Sequence, residues 1–115
     1  MIERRKIVVG VMGAAQCDEA IYQDAYEVGE LVAERGAILL CGGLGGVMEA
    51  SAKGAKEAGG ITIGILPGSS DRDSPPNPYI DVAVFSGMSD ARNAINVRSS
   101  DVIIAVSGGY GTLSE

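Results

Sequence analysis

The chemistry this sequence could perform is concentrated in one loop and two side chains. The stretch "DVIIAVSGGYGTLSE" (101–115) breaks from an apolar run into Gly108, Gly109, Tyr110, Gly111 and Thr112. Glycines directly after a buried strand let backbone amides turn toward one point. A helix starting there adds its free N–H groups and its dipole, a combination suited to phosphate. Thr112 offers a hydroxyl donor. Arg92 and Glu115 each fall about one turn into the segment that follows an apolar run. If the two strands are neighbours, a guanidinium and a carboxylate overlook the same loop. The guanidinium fork can hold a phosphate or a sugar hydroxyl. The carboxylate can orient water or stabilise positive charge on a ribose ring. The same residues also fit an unliganded strand–helix turn and an ordinary surface ion pair. The loop is neither a P-loop nor a GxGxxG fingerprint.

Composition narrows the chemistry further. The chain has no histidine, which removes Ser-His-Asp and Cys-His catalysis and His-ligated zinc. No metal or cofactor is called for, and Asp71 and Asp73 read as carboxylates that solvate a loop. A net charge of −6 and a pI near 4.5 argue against a nucleic-acid partner, which needs a basic face. A small anion is still allowed, because a few local donors can override net charge. No stretch reads as a signal peptide or a membrane span. Cys17 and Cys41 are too few for a disulfide scaffold, so two free thiols and a reducing cytoplasm are expected.

The elements that must position these residues alternate in type. Buried strands are expected at 6–13, 37–43, 61–67, 79–85 and 101–107, where apolar and β-branched residues run without charge or alternate. Between them, Ile21, Ala25, Val28, Leu31 and Val32 recur at helical spacing over 18–35, with Asp18 as N-cap and Gly36 at the C-terminal turn. A small-residue helix is expected over 46–60. A third, over 87–100, has Met88, Ala91 and Ile95 on its apolar stripe. Residues 68–78 are a Pro-, Ser- and Asp-rich loop. The alternation predicts one α/β domain spanning 1–115: a Rossmann-like, doubly wound parallel sheet with helices on both faces. Ligands in such sheets sit beyond the carboxyl ends of the strands. There a second glycine-rich junction, "CGGLGGVMEA" (41–50), offers Gly42, Gly43, Gly45 and Gly46 as a pocket wall or as close helix–sheet packing.

Taken together, "GGYGTLSE", "GGLGGVMEA" and "MSDARNA" resemble the LOG-like proteins, the cytokinin riboside 5′-monophosphate phosphoribohydrolases. The resemblance spans essentially the whole chain. It implies that Gly108, Gly109, Gly111 and Thr112 cradle a 5′-phosphate, and that Arg92 and Glu115 form the catalytic pair for cleaving an N-glycosidic bond. Met88, Asn93 and Tyr110 join the expected binding set, with Tyr110 either packing against helices or stacking on a base. Asp90 or Glu49 could protonate the leaving base. Ser107 stands where the family has proline and Asn93 where it has lysine, and the Met-to-Arg spacing is one residue longer. These departures resemble a side branch containing molybdenum-cofactor carrier-like proteins, in which the pocket binds a pterin or nucleotide without cleaving it. The leading expectation is hydrolysis of nucleoside 5′-monophosphates to free base and ribose 5-phosphate; the alternative is a non-catalytic carrier. The resemblance also implies a homodimer. A helix starting at Gly111 has no body in this sequence, so truncation after the fifth strand is a further expectation.

Overall fold

A computed structural model describes residues 5–106. The glycine loop and Glu115 lie outside the described residues. Five strands, β1 (Val8–Met12), β2 (Ile38–Cys41), β3 (Thr62–Leu66), β4 (Val82–Phe85) and β5 (Val102–Ala105), alternate with α1 (Glu19–Glu34), α2 (Val47–Glu57) and α3 (Arg92–Ser99). They form one parallel sheet in the order β4-β3-β2-β1-β5. The chain steps outward from β1 to β4, then α3 carries it back across the sheet to the far side of β1. Strand order therefore reverses at β1, and the crevice beyond its carboxyl end is the natural ligand position. β4 and β5 lie at opposite edges, so the condition that the strands preceding Arg92 and Glu115 be neighbours is not met.

The register separates two faces. Val9 pairs with Leu39 and Val102, and Leu39 with Thr62, on the side covered by α1 and α2. Gly10 pairs with Leu40 and Ile103 on the side facing α3. The core sits under α1 and α2 and is built from Val9, Val11, Leu39, Cys41, Val47 and a set of alanines. Cover thins toward both edges, where Val82, Val84, Val102 and Ile103 are exposed. Among the described residues no helix is long and apolar enough to cross a membrane.

Local signals explain most element ends. Asp18 caps α1 by accepting from the Ile21 amide at 2.9 Å, and Gly36 takes φ +74° just past its end. The two helices on this face touch backbone to backbone. A Cβ on Gly29 would collide with the Ser51 carbonyl oxygen, and one on Gly54 with the Tyr26 carbonyl oxygen. Only glycine at both positions permits this spacing. Tyr26 then reaches Glu57, and Tyr22 reaches Glu49 at 3.3 Å, across the same seam. The connection between β3 and β4 has no helix. Asn77 holds it instead, its backbone amide donating to the Gly43 carbonyl at 2.8 Å and its Nδ2 to the Leu44 carbonyl at 2.8 Å.

β5 is held at its start by Asp101, which accepts from the Arg5 guanidinium at 2.7 and 2.9 Å and from the Val8 amide at 2.8 Å. The Arg5 hydrogen bonds, then the Val8 amide, push the Asp101 carboxyl down to about 2. A carboxyl lowered by folding stabilises the fold above its unfolded value, and that contribution disappears as pH falls toward the folded one. The stability difference between wild type and Asp101→Asn, measured by urea unfolding, should be full at pH 6 and shrink steadily between pH 4 and 2. At the helix seam, Gly29→Ala should lower the unfolding free energy by about 3 kcal/mol, the upper range for overpacking. Asp24→Ala, on the exposed face of the same helix, should change it little.

Candidate functional site

The site grows from the end of β4. Ser86 Oγ donates to the Leu66 carbonyl at 2.7 Å, Gly87 N to Gly68 O at 2.9 Å, and Ser89 N to Pro67 O at 3.0 Å. These bonds lash residues 86–89 across the carboxyl end of β3. Ser89 is held at φ +50°, a left-handed conformation that costs a serine about 1 kcal/mol. A 3-10 turn over Ser89–Ala91 then starts α3 at Arg92. The Arg92 side chain reaches the end of β2: a Cβ on Gly42 would stand 2.6 Å from Met48 Sδ and 3.0 Å from Arg92 Nη2. Gly42 therefore leaves the room that Met48 and the guanidinium share.

Arg92 forms part of the wall of a cleft of about 410 Å³ beyond β1 and β2, a volume typical of small-molecule sites. Its floor comes from Val11, Met12 and Gly13 of β1 and the turn after it, and Gly42, Leu44 and Met48 close one side. Asp90, Arg92, Asn93 and Asn96 supply the polar side.

The electrostatics are unusual for an arginine. Arg92 is only 6% exposed, and among the described residues its Nε has no hydrogen-bond partner. Its nearest carboxylate, Asp90, lies 3.9 Å from Nη1 and is itself fully exposed. Burial drags the guanidinium below its ordinary value, against smaller upward pulls from Asp90 and Cys41. As the first residue of α3, Arg92 also sits at the positive end of the helix dipole. Four residues on, Asn96 is 3% exposed and its Oδ1 is likewise unpartnered. Beneath them the Cys41 thiol is fully buried, and burial pushes it up to about 11. Cys17, half-buried, is raised in the same direction by burial and by Asp18. Both cysteines are free thiols.

The structure brings Arg92, Asn93 and Gly42 together in the cleft. Gly43, Gly45 and Gly46 do not line it. Gly43 packs on Leu66, and Gly45 and Gly46 lie against the Ala14–Ala15 backbone. The first amide of α2 is already used, with Val47 N donating to Ala14 O at 3.0 Å. Met88 is exposed and outside the cleft. Of the two candidate acids, Asp90 borders the cleft, whereas Glu49 faces Tyr22 at the helix seam. Gly108, Gly109, Tyr110, Gly111, Thr112 and Glu115 lie outside the described residues. Sequence reasoning missed Asn96, Met48, Val11 and Met12. The available signal was the four-residue spacing of Arg92 and Asn96, which sets them on one helix face.

A parallel sheet with its cleft at the reversal of strand order defines a Rossmann-like domain with a site sized for a small ligand. Within that class, the chain belongs to the SLOG cluster4 family, whose model matches residues 6–115. It is 39% identical over 106 residues to the cytokinin riboside 5′-monophosphate phosphoribohydrolase LOG of Oryza sativa, covering 90% of this chain and 43% of that protein. The chain thus spans less than half the length of that relative. Its fold matches the molybdenum cofactor binding protein of Rippkaea orientalis with a TM-score of 0.89 and 46% identity, covering 97% of this chain and 69% of the other. The molybdenum cofactor carrier protein of Chlamydomonas reinhardtii matches with a TM-score of 0.82 and 43% identity, over 96% and 68% of the two chains.

Two outcomes follow from the burial of these groups. Arg92→Met removes a desolvated charge that has no buried counter-ion among the described residues, so the variant should unfold at the same or a higher denaturant midpoint than wild type. A clear loss of stability would show that the guanidinium is held by contacts stronger than those described. With a thiol reagent at pH 8, mass spectrometry should find Cys17 modified first and Cys41 only under unfolding conditions.

Proposed function

We propose that this chain binds a phosphate-bearing heterocyclic small molecule, of the molybdenum-cofactor or nucleotide type, with the anionic group on Arg92. The observation that carries this reading is the buried Arg92 Nε, without a partner among the described residues, at the positive end of α3 and on the wall of a ligand-sized cleft. A donor left unpaired in a dry site costs about 1–3 kcal/mol, more when charged, and an anion accepting from it recovers that cost. Asn93 and Asn96 add neutral groups that suit the polar edge of a heterocycle or a sugar. The molybdenum cofactor, taken as cargo, fits this donor set: its phosphate calls for a cation and its pterin for neutral hydrogen-bonding groups. Likeness at 46% and 43% identity to a molybdenum cofactor binding protein and a carrier protein supports binding without turnover.

A second reading, hydrolysis of a nucleoside 5′-monophosphate, is favoured by the "GGYGTLSE" motif and by the likeness to the rice phosphoribohydrolase. In that reaction water adds to ribose C1′ as the C1′–N bond breaks, and the base departs with a proton. A carboxylate beside C1′ stabilises the oxocarbenium character of the ring. That role falls to Glu115. Asn93 in place of the family's lysine removes a cation from the ribose side, which weakens turnover more than binding.

The two readings separate in one experiment. The protein is incubated with AMP and with isopentenyl-AMP, with released base followed by chromatography and binding by thermal shift. A second binding arm uses isolated molybdenum cofactor. The expected result is a raised melting temperature without base release, abolished in Arg92→Ala. Base release that disappears in both Arg92→Ala and Glu115→Ala would establish the hydrolase instead.

A further inference from the structure

Resting on the reading above, we propose that Asn96 is a specificity-determining residue of the cleft. Its side-chain carbonyl accepts a hydrogen bond from a ligand N–H or O–H adjacent to the group that Arg92 holds.

Asn96 is 3% exposed and lies on the cleft wall, yet among the described residues its Oδ1 has no donor. Its backbone carbonyl is already engaged, accepting from Ser100 Oγ at 2.7 Å. The side-chain amide therefore contributes no hydrogen bond through Oδ1 to the fold, although it displaces an apolar residue from a buried position. One turn earlier Arg92 leaves a donor unpaired in the same wall. A phosphate monoester dianion satisfies Arg92, because its oxygens accept, but it carries no O–H to offer a carbonyl oxygen. An acceptor left over beside a satisfied cation calls for a ligand in which a donor sits next to the anionic or carbonyl acceptor. A sugar hydroxyl near a 5′-phosphate meets this description, and so does the lactam edge of an oxopurine or oxopterin, where C=O and N–H are adjacent. The shared chemistry is a donor beside an acceptor, and discrimination against ligands lacking it follows from leaving Oδ1 unpaired.

The test compares wild type with Asn96→Leu, which keeps the volume and removes the polar group. The probes are inorganic sulfate, an acceptor-only dianion, with ribose 5-phosphate and GMP, and binding is measured by calorimetry. Asn96→Leu should bind sulfate as wild type does and bind at least one organic probe about tenfold or more weakly. Weakening of both organic probes identifies a sugar hydroxyl as the donor, and weakening of GMP alone identifies the heterocycle. The unliganded variant should melt no lower than wild type, since an unpaired buried carbonyl has been replaced by an apolar group. Equal affinity for all probes, or loss of sulfate together with the organic probes, would overturn the assignment, as would a lowered melting temperature with unchanged selectivity. Wild type binding none of the probes, including sulfate, would instead sink the anion-site reading on which the assignment rests.

Discussion

A guanidinium kept almost dry, at the wrong end of a helix dipole and with its one nearby carboxylate out in solvent, is the constraint around which the described part of this molecule is arranged. Burial, dipole and missing partner each oppose placing a charge there. The surroundings nevertheless hold it in place. Ser86, Gly87 and Ser89 are tied to the carboxyl end of β3, Ser89 is forced left-handed, and Gly42 gives up its side chain where Nη2 lies. A fold that needed only to cover its sheet would have an apolar residue at position 92. The accumulation of local costs at one point is the usual mark of a functional position.

Much of the scaffold was legible because its signals are local. Apolar β-branched runs mark the strands, Asp18 and Gly36 mark the ends of α1, and the small residues of α2 predict its close approach to a neighbour. Strand order was not legible, since runs of similar apolarity carry no label for which edge they occupy. The sequence places Arg92 after the fourth strand, as the structure does, but cannot show that β4 and β5 lie at opposite edges and that Arg92 sits on the helix crossing between them. The segment after β4 was read by its apolar stripe, Met88, Ala91 and Ile95. The residues that turn inward are Arg92 and Asn96, while Met88 and Ala91 are exposed. Periodicity assumes that the buried face is apolar, and α3 breaks the assumption because its inner face, with Arg92 and Asn96, borders the cleft. The glycines of the β2–α2 junction divide for a similar reason. Pattern alone cannot tell a glycine that clears space for side chains on the cleft wall, as Gly42 does for Met48 and Arg92, from ones that clear space for the chain's own backbone, as Gly45 and Gly46 do.

Net charge makes an anion site in this chain look paradoxical, and magnitudes resolve it. Fifteen acidic residues against nine basic ones give −6, a field that would repel a phosphate if it acted unscreened. Most of those carboxylates are on the surface, and at physiological ionic strength their influence decays over a Debye length of about 8 Å. A phosphate oxygen about 4 Å from the guanidinium, in surroundings of effective dielectric near 20, gains about 4 kcal/mol per unit charge. The near interaction therefore outweighs the diffuse one, and the surface charge acts mainly on encounter rate. Asp90 stands as close, 3.9 Å from Nη1, but its carboxylate is fully exposed and screened by water, so it subtracts less. Binding thus needs only the one buried cation, whereas hydrolysis also needs a carboxylate held beside a sugar carbon. The described cleft holds a buried cation on its wall, whereas Glu115, the carboxylate of the proposed hydrolytic reading, lies outside the described residues.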